Sequence, residues 1–344
     1  MTQAAADSSA IAGQPGSRAQ RTGGHPPGHR RYQVVAHGLT YFCRQLPELL
    51  GNECWEILDR SQHTPRQLAR LVQDLRTCDL AFSWGGRIDM GPFLWGARAL
   101  GAKKIVALWC GSDVLRAQRI LATRKPAPWI ARNIHWAASR ALADEVRALG
   151  LSCEYVQCSF VEAVARPAAL PKEFSVLVFL PRPDLADLYG WDRVVDVARA
   201  LPEVKFTLVG LRVGTLDAPP NVEVRRWVDD LVPVYQRSTV LWRPVRHDAG
   251  IAFMVLEAMA HGRHVLYSYP VPGAVQVKGA LEAREQLENL RQHHKNGTLQ
   301  INEAGRTAVA RIYRKEVVRD ELRRRWEEII RAHSPAFRAH VGDS

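Results

Sequence analysis

The sequence predicts an α/β protein of two doubly wound, Rossmann-like domains that face each other across a cleft. Three observations lead there. Short apolar runs alternate with helix-like stretches of about 10–15 residues, the pattern of βαβ units in a parallel sheet. The alternation stops once, at an Ala- and Pro-rich stretch over residues 165–172, and then begins again. The length of 344 residues suits two domains at roughly 100–200 residues each.

Composition narrows the class. Hydrophobic residues make up 47% and charged residues 24%, an ordinary globular balance. It excludes a disordered chain, a fibrous repeat and a disulfide-stapled miniprotein. Residues 1–30 are rich in Ala, Ser, Gly, Gln and Pro and hold no apolar run. They are expected to be a disordered tail rather than a secretory signal. No stretch nears the roughly 20 apolar residues of a membrane span. The six cysteines form no C-x-x-C pair, so reduced thiols are expected, with no zinc site and a cytoplasmic location.

The first domain is expected over residues 31–164. Residues 32–36 read as a strand ending at His37-Gly38, and 39–50 as a helix stopped by Gly51. Residues 55–58 are a strand and 65–75 a helix. Residues 79–83 are a strand that runs into the loop Trp84-Gly85-Gly86-Arg87. Residues 90–100 are helical to Gly101. Residues 104–109 are a strand leading into Cys110-Gly111-Ser112-Asp113, residues 134–138 another strand, and 139–149 a helix closed by Gly150.

After a linker at 165–173 the second domain is expected over 174–310. Its strands are read at 174–180, 206–209, 222–228, 240–245 and 265–269. Its helices are read at 191–201, 229–237 and 250–262. A charged helical stretch follows from about 301 to 332, and residues 311–344 are taken as a helix packing back plus a tail. In such sheets ligands bind beyond the carboxyl ends of the strands, so function is sought in the loops there.

The run from Arg243 to Gly262 carries the most chemistry. A strand turns through Asp248 and Gly250 into an apolar helix. Glycine lets the backbone approach a ligand closely. The amides of Gly250, Ile251 and Ala252 would then form an anion site at the helix start. Glu257 lies seven residues on, back on the face of Gly250. A carboxylate on an apolar helix suits a ribose diol; its plainer roles are a cap or a pair with a neighbouring arginine.

A Gly-opened helix carrying Leu256-Glu257-Ala258-Met259-Ala260, then Gly262, a strand and the turn Pro272-Gly273, resembles the donor domain of GT-B glycosyltransferases. It is most similar to glycosyltransferase family 4. The resemblance implies a nucleotide-sugar donor, with its pyrophosphate at Gly250–Ala252 and its ribose on Glu257. Two departures stand out. The family's first glutamate, eight residues before Glu257, is Ala249, with Asp248 one residue further upstream as a substitute for the sugar hydroxyls. The family's Gly-Arg and Lys-Gly pair becomes Arg182 with Tyr189-Gly190, so one phosphate cation is missing. Arg246 or Arg243 is the candidate replacement.

The first-domain loops would face the donor. Cys110-Gly111-Ser112-Asp113 resembles the His-Gly-Ser-Asp segment of this fold, with Cys110 in the His place. Asp113 is a candidate base for an acceptor hydroxyl, and equally a cap for the helix after it. Asp89 and His37 are further catalytic candidates. Gly38, Trp84 and Arg87 are the acceptor-side candidates: Gly38 for a close pass by the donor phosphate, Trp84 for stacking on a sugar. There is no Asp-x-Asp, so no metal or other cofactor is expected, and helix amides and arginines would stabilise the leaving group.

The formal net charge is +12, and residues 1–170 hold 21 basic against 13 acidic residues. Residues 114–143 contain no acid, while Arg116, Arg119, Arg124, Lys125, Arg132 and Arg140 are interleaved with Trp129, Ile130, Ile134 and Trp136. The segment 116–140 is expected to touch an anionic membrane peripherally. No nucleic-acid-binding signature accompanies the charge. The expectation is a hexosyltransferase acting on a saccharide or lipid-linked saccharide in polysaccharide or glycoconjugate biosynthesis. The alternatives are a degenerate GT-B partner subunit and a sugar-nucleotide epimerase.

Overall fold

A computed structural model describes residues 31–332 apart from 53, 62–63, 89–90, 103, 124, 126–127 and 249. The expected tail at 1–30 lies outside the described residues. Two sheets of six parallel strands are present. The first has β1 (Tyr32–Gly38), β2 (Trp55–Asp59), β3 (Leu80–Trp84), β4 (Ile105–Trp109), β5 (Ile134–Ala137) and β6 (Cys153–Tyr155) in the order β2-β1-β3-β4-β5-β6. Its helices are α1 (Thr40–Leu50), α2 (Pro65–Thr77), α3 (Pro92–Ala99), α4 (Ser112–Leu121) and α5 (Arg140–Ala148). Every residue of β3 and β4 is buried. Helices cover both faces, which is why these strands read as unbroken apolar runs.

The second sheet has β7 (Ser175–Phe179), β8 (Lys205–Leu211), β9 (Val222–Arg226), β10 (Val240–Arg243), β11 (His264–Tyr267) and β12 (Val275–Gln276), ordered β12-β11-β10-β7-β8-β9. Its helices are α6 (Trp191–Ala200), α7 (Val232–Gln236), α8 (Phe253–Ala260), α9 (Ala280–Lys295) and α10 (Glu303–Ala308). The charged C-terminal stretch is not one helix. A π-helical turn at Val309–Tyr313 and extended Arg314 separate α10 from α11 (Lys315–Arg331). Val161, on the outward crossing between the sheets, donates its N–H to the Tyr313 carbonyl on the return crossing at 2.9 Å. Helix α11 then joins the first core, where Trp326 is fully buried against Phe82 at 5.3 Å and Trp55 at 5.9 Å.

The reading of 116–140 changes in one respect. Ile130 and Trp136 are interior, and Trp129 lies under the Arg98 guanidinium at 5.8 Å. The cations Arg116, Arg119, Lys125, Arg132 and Arg140 are exposed. The segment therefore offers charge to the outside but keeps those side chains in the fold. Among the described residues no helix is long and apolar enough to cross a membrane.

Candidate functional site

The carboxyl ends of both sheets converge, with the segments after β5 and β1 against the loop after β10 and the start of α8. Gly38 ends β1 with φ +130°, and a Cβ there would fall 2.0 Å from the Trp84 carbonyl oxygen. Only glycine permits this close pass. Its neighbour is therefore the β3 turn. His37 stacks on Phe93 at 4.5 Å with the rings 8° apart. Trp84 is 6% exposed and stacks on Phe42 at 4.9 Å, so its faces are spent on protein. Arg87 is half-buried beside Gly91. Asp89 lies outside the described residues.

Asp113 stands in the first turn of α4. Its carboxylate accepts N–H groups from Gly86 at 2.6 Å, Gly111 at 2.7 Å, Cys110 at 2.9 Å and Val114 at 3.0 Å. Burial raises its pKa while these four amides pull it back. The group thus braces the β3 and β4 loops against each other at a helix N-terminus, where a carboxylate is favoured.

In the second half, Arg182 forks onto Asp184, with Nε 2.9 Å from Oδ1, and both are exposed. Arg246 bridges Asp187 at 2.9 Å and Asp192 at 2.7 Å, tying the turn before α6 to its first turn. Gly190, at φ +67°, would place a Cβ 2.0 Å from the Pro244 carbonyl, so the start of α6 is pressed onto the β10 loop. Arg243 and Asp248 form a buried ion pair at 2.8 and 3.2 Å, with side chains 8% and 7% exposed. The Tyr267 hydroxyl donates to Asp248 at 2.8 Å. Tyr189 and Phe179 lie 5.2 and 5.8 Å from the guanidinium. Asp248, read as a substitute for the absent glutamate, is thus held inside by Arg243 and Tyr267. Arg243 is spoken for in the same pair.

Helix α8 starts at Phe253, not at Gly250. Gly250 at φ +143° and Ala252 at ψ 136° are non-helical, so Gly250, Ile251 and Ala252 form the turn ahead of it. The amides of Phe253 and Met254 open the helix. They make no hydrogen bond among the described residues. Glu257 follows one turn later, half-buried, accepting the Tyr235 hydroxyl at 2.6 Å. The remaining α8 residues after Phe253 are buried and apolar.

Sequence reasoning missed how the halves touch. A Cβ on Gly250 would sit 2.8 Å from the Ala138 Cβ of the first half. Phe253 packs on Phe42 at 5.5 Å and edge-on to Phe160 at 5.9 Å. His247 Nε2 meets the Glu145 carboxylate of α5 at 2.9 Å. That hydrogen bond raises the His247 pKa, against the opposing effect of burial. These partners are far apart in the chain, and no local pattern marks them.

Comparison with known proteins finds a family match in the second half and fold likenesses over most of the chain. Residues 188–294 match the family model described as glycosyl transferases group 1. That window runs from the turn before α6 into α9 and includes the whole of the β10–α8 segment. No curated protein matches the chain by sequence. A glycosyltransferase from Rickettsia africae superposes with a TM-score of 0.61 at 10% identity, over 89% of this chain and 100% of that one. HepE from Anabaena, solved with UDP-glucose, gives 0.59 at 13% identity over 87% and 99%. TarM of S. aureus gives 0.55 at 11% identity over 76% of this chain, which spans 58% of TarM. The two six-stranded parallel sheets and these likenesses make the fold GT-B, two Rossmann-like domains.

Proposed function

We propose that this chain is a glycosyltransferase that moves a hexosyl group from a nucleoside diphosphate sugar to a saccharide or lipid-linked saccharide, without a metal ion. One observation carries the reading. In the segment matched by the glycosyl transferases group 1 model, α8 opens two amides beside the other half of the molecule and sets Glu257 one turn behind them. Amides at a helix start attract phosphate, and a carboxylate at that depth suits the ribose. HepE, similar in fold, was solved with UDP and with UDP-glucose. As the sugar leaves, charge builds on the diphosphate, and preorganised amides with the rim cations Arg182 and Arg246 stabilise it. The acceptor side is the pair of loops after β3 and β4, with Phe42 lying between Trp84 and Phe253.

Product release from a panel of nucleotide sugars tests this, with and without EDTA. Nucleotide release should persist in EDTA and disappear in Glu257→Ala. A folded protein whose melting temperature moves with none of UDP, GDP or their sugars would sink the enzyme reading. It would support a non-catalytic partner subunit instead. One observation favours that second reading: Arg182, Arg243 and Arg246 each already hold an aspartate.

The pathway reading, polysaccharide or glycoconjugate assembly, extends to a peripheral membrane contact. The exposed cations of 116–140 would contribute about 1 kcal/mol each near anionic lipid. With Ile130 and Trp136 buried, binding should be electrostatic and salt-sensitive. Anionic vesicles should retain the protein at low salt and lose it on neutralising Arg116, Arg119, Lys125 and Arg132. Unchanged binding by that variant would refute the contact.

A further inference from the structure

The contacts beneath Glu257 define how its carboxylate is presented. Tyr235 lies on α7, is 1% exposed, and stacks on His261 at 5.4 Å with rings 23° apart. His261 follows the last residue of α8, so the stack holds α7 against the helix that carries Glu257. The phenol lies in the interior beside a carboxylate. Burial first, and the Glu257 charge second, push its pKa well above the ordinary value. It therefore stays an O–H donor at any working pH. Its proton goes to Glu257 Oε2 at 2.6 Å, the short distance of a charge-assisted bond. Among the described residues Oε1 has no hydrogen-bond partner.

We propose that Tyr235 is a positioning residue that clamps Glu257 by Oε2 and leaves Oε1 as the oxygen offered to a single ribose hydroxyl. The proposal rests on the nucleotide-sugar reading above. A carboxylate with both oxygens free can take both hydroxyls of a diol. With one lone pair of Oε2 already taken by the Tyr235 hydroxyl, that oxygen accepts a second donor less well than Oε1, so the carboxylate favours one hydroxyl over the other. Tyr235 then sets which ribose position the protein reads, without touching the ligand.

The test is equilibrium binding of UDP, 2′-deoxy-UDP and 3′-deoxy-UDP to the full chain, as wild type and as Tyr235→Phe. In the wild type, one deoxy analogue should bind about tenfold more weakly than the other. In Tyr235→Phe, UDP should weaken about tenfold, a loss of ~1.4 kcal/mol, while the analogue lacking the recognised hydroxyl changes less than twofold. The preference for ribose therefore collapses in the variant. A purely structural role would weaken all three ligands alike, and that result overturns the proposal. So does a variant that binds UDP as the wild type does, which leaves the nucleotide site itself standing. If wild-type protein binds neither UDP nor GDP, the nucleotide reading fails and takes this inference with it. Should Tyr235→Phe not fold, the wild-type comparison still decides: equal losses for the two deoxy analogues refute the clamp.

Discussion

Removing one member of the Arg243–Asp248 pair should be among the most damaging single changes in the second half. Both side chains are under a tenth exposed, and the pair is completed by two nitrogen–oxygen contacts and the Tyr267 hydroxyl. Asp248→Ala would leave a guanidinium buried between Tyr189 and Phe179 with no counter-charge. Arg243→Met would take the guanidinium away from a carboxylate that is itself buried. Breaking a buried pair from one side costs about 3–5 kcal/mol, whereas replacing both members by apolar groups is close to neutral. For a unit of 150–250 residues this is a fall in melting temperature of roughly 6–20 °C. The assay is urea unfolding of both single variants and the double variant, with the slope against denaturant checked for constancy. The double variant should cost about 1–2 kcal/mol, far less than the two singles together, because the stranded charge is gone. Single variants within ~1 kcal/mol of wild type would refute the buried pair. A double variant as unstable as the two costs added would refute their coupling.

Three further outcomes are expected. Gly38→Ala combines a positive φ with a Cβ 2.0 Å from a backbone oxygen, so it should destabilise the first domain by at least ~2 kcal/mol in the same urea assay. The His247–Glu145 contact should depend on pH with a definite sign. Hydrogen bonding to Glu145 raises the folded pKa of His247 above its ordinary value of 6.5, so the contact is complete below about pH 6.5 and is lost as pH rises through the higher folded value. Titration of the His247 ring by NMR should show a raised midpoint that falls back in Glu145→Gln; an unchanged midpoint would count against the contact. Burial pushes the Cys43 and Cys153 thiols up to about 12. Iodoacetamide at pH 8 should therefore spare both in native protein, as mass spectrometry would reveal, and modify them only after unfolding.

Most of the fold was legible because parallel strands buried on both faces leave continuous apolar runs. The strands β3 and β4 are the clearest. What escaped was short or weakly patterned. Strand β6 has three residues at a sheet edge. Helix α9 is long but fully buries only Ala283 and Leu287, so it carries little periodic signal. The sequence places the start of α8 three residues early because Gly250 reads as a helix opener. Its φ of +143° instead lets the turn press against Ala138. The π-helical break at Val309–Tyr313 sits where the chain must cross back between sheets, a tertiary demand with no local code.

The candidate site is legible in its carboxylate and obscure in its cations, for a physical reason. Glu257 is conspicuous because an acid on an otherwise apolar helix is costly without a partner. Arginines are common, and which partner each takes is set by neighbouring strands. Arg243 ends a buried strand and is claimed by Asp248 five residues on, with Tyr267 supplied from β11. The pairs of Arg182 and Arg246 with aspartates are different in kind, being partly or largely exposed. Water and salt weaken such pairs, so a diphosphate at the α8 amides would exchange for those aspartates at little cost. The same exchange at Arg243 would strand Asp248 inside the protein. The two exposed arginines would thus be recruitable for a phosphate, whereas Arg243 is held in its buried pair. Arg182→Ala or Arg246→Ala should accordingly weaken nucleoside diphosphate binding without a loss of folding stability, whereas Arg243→Met should lose stability first.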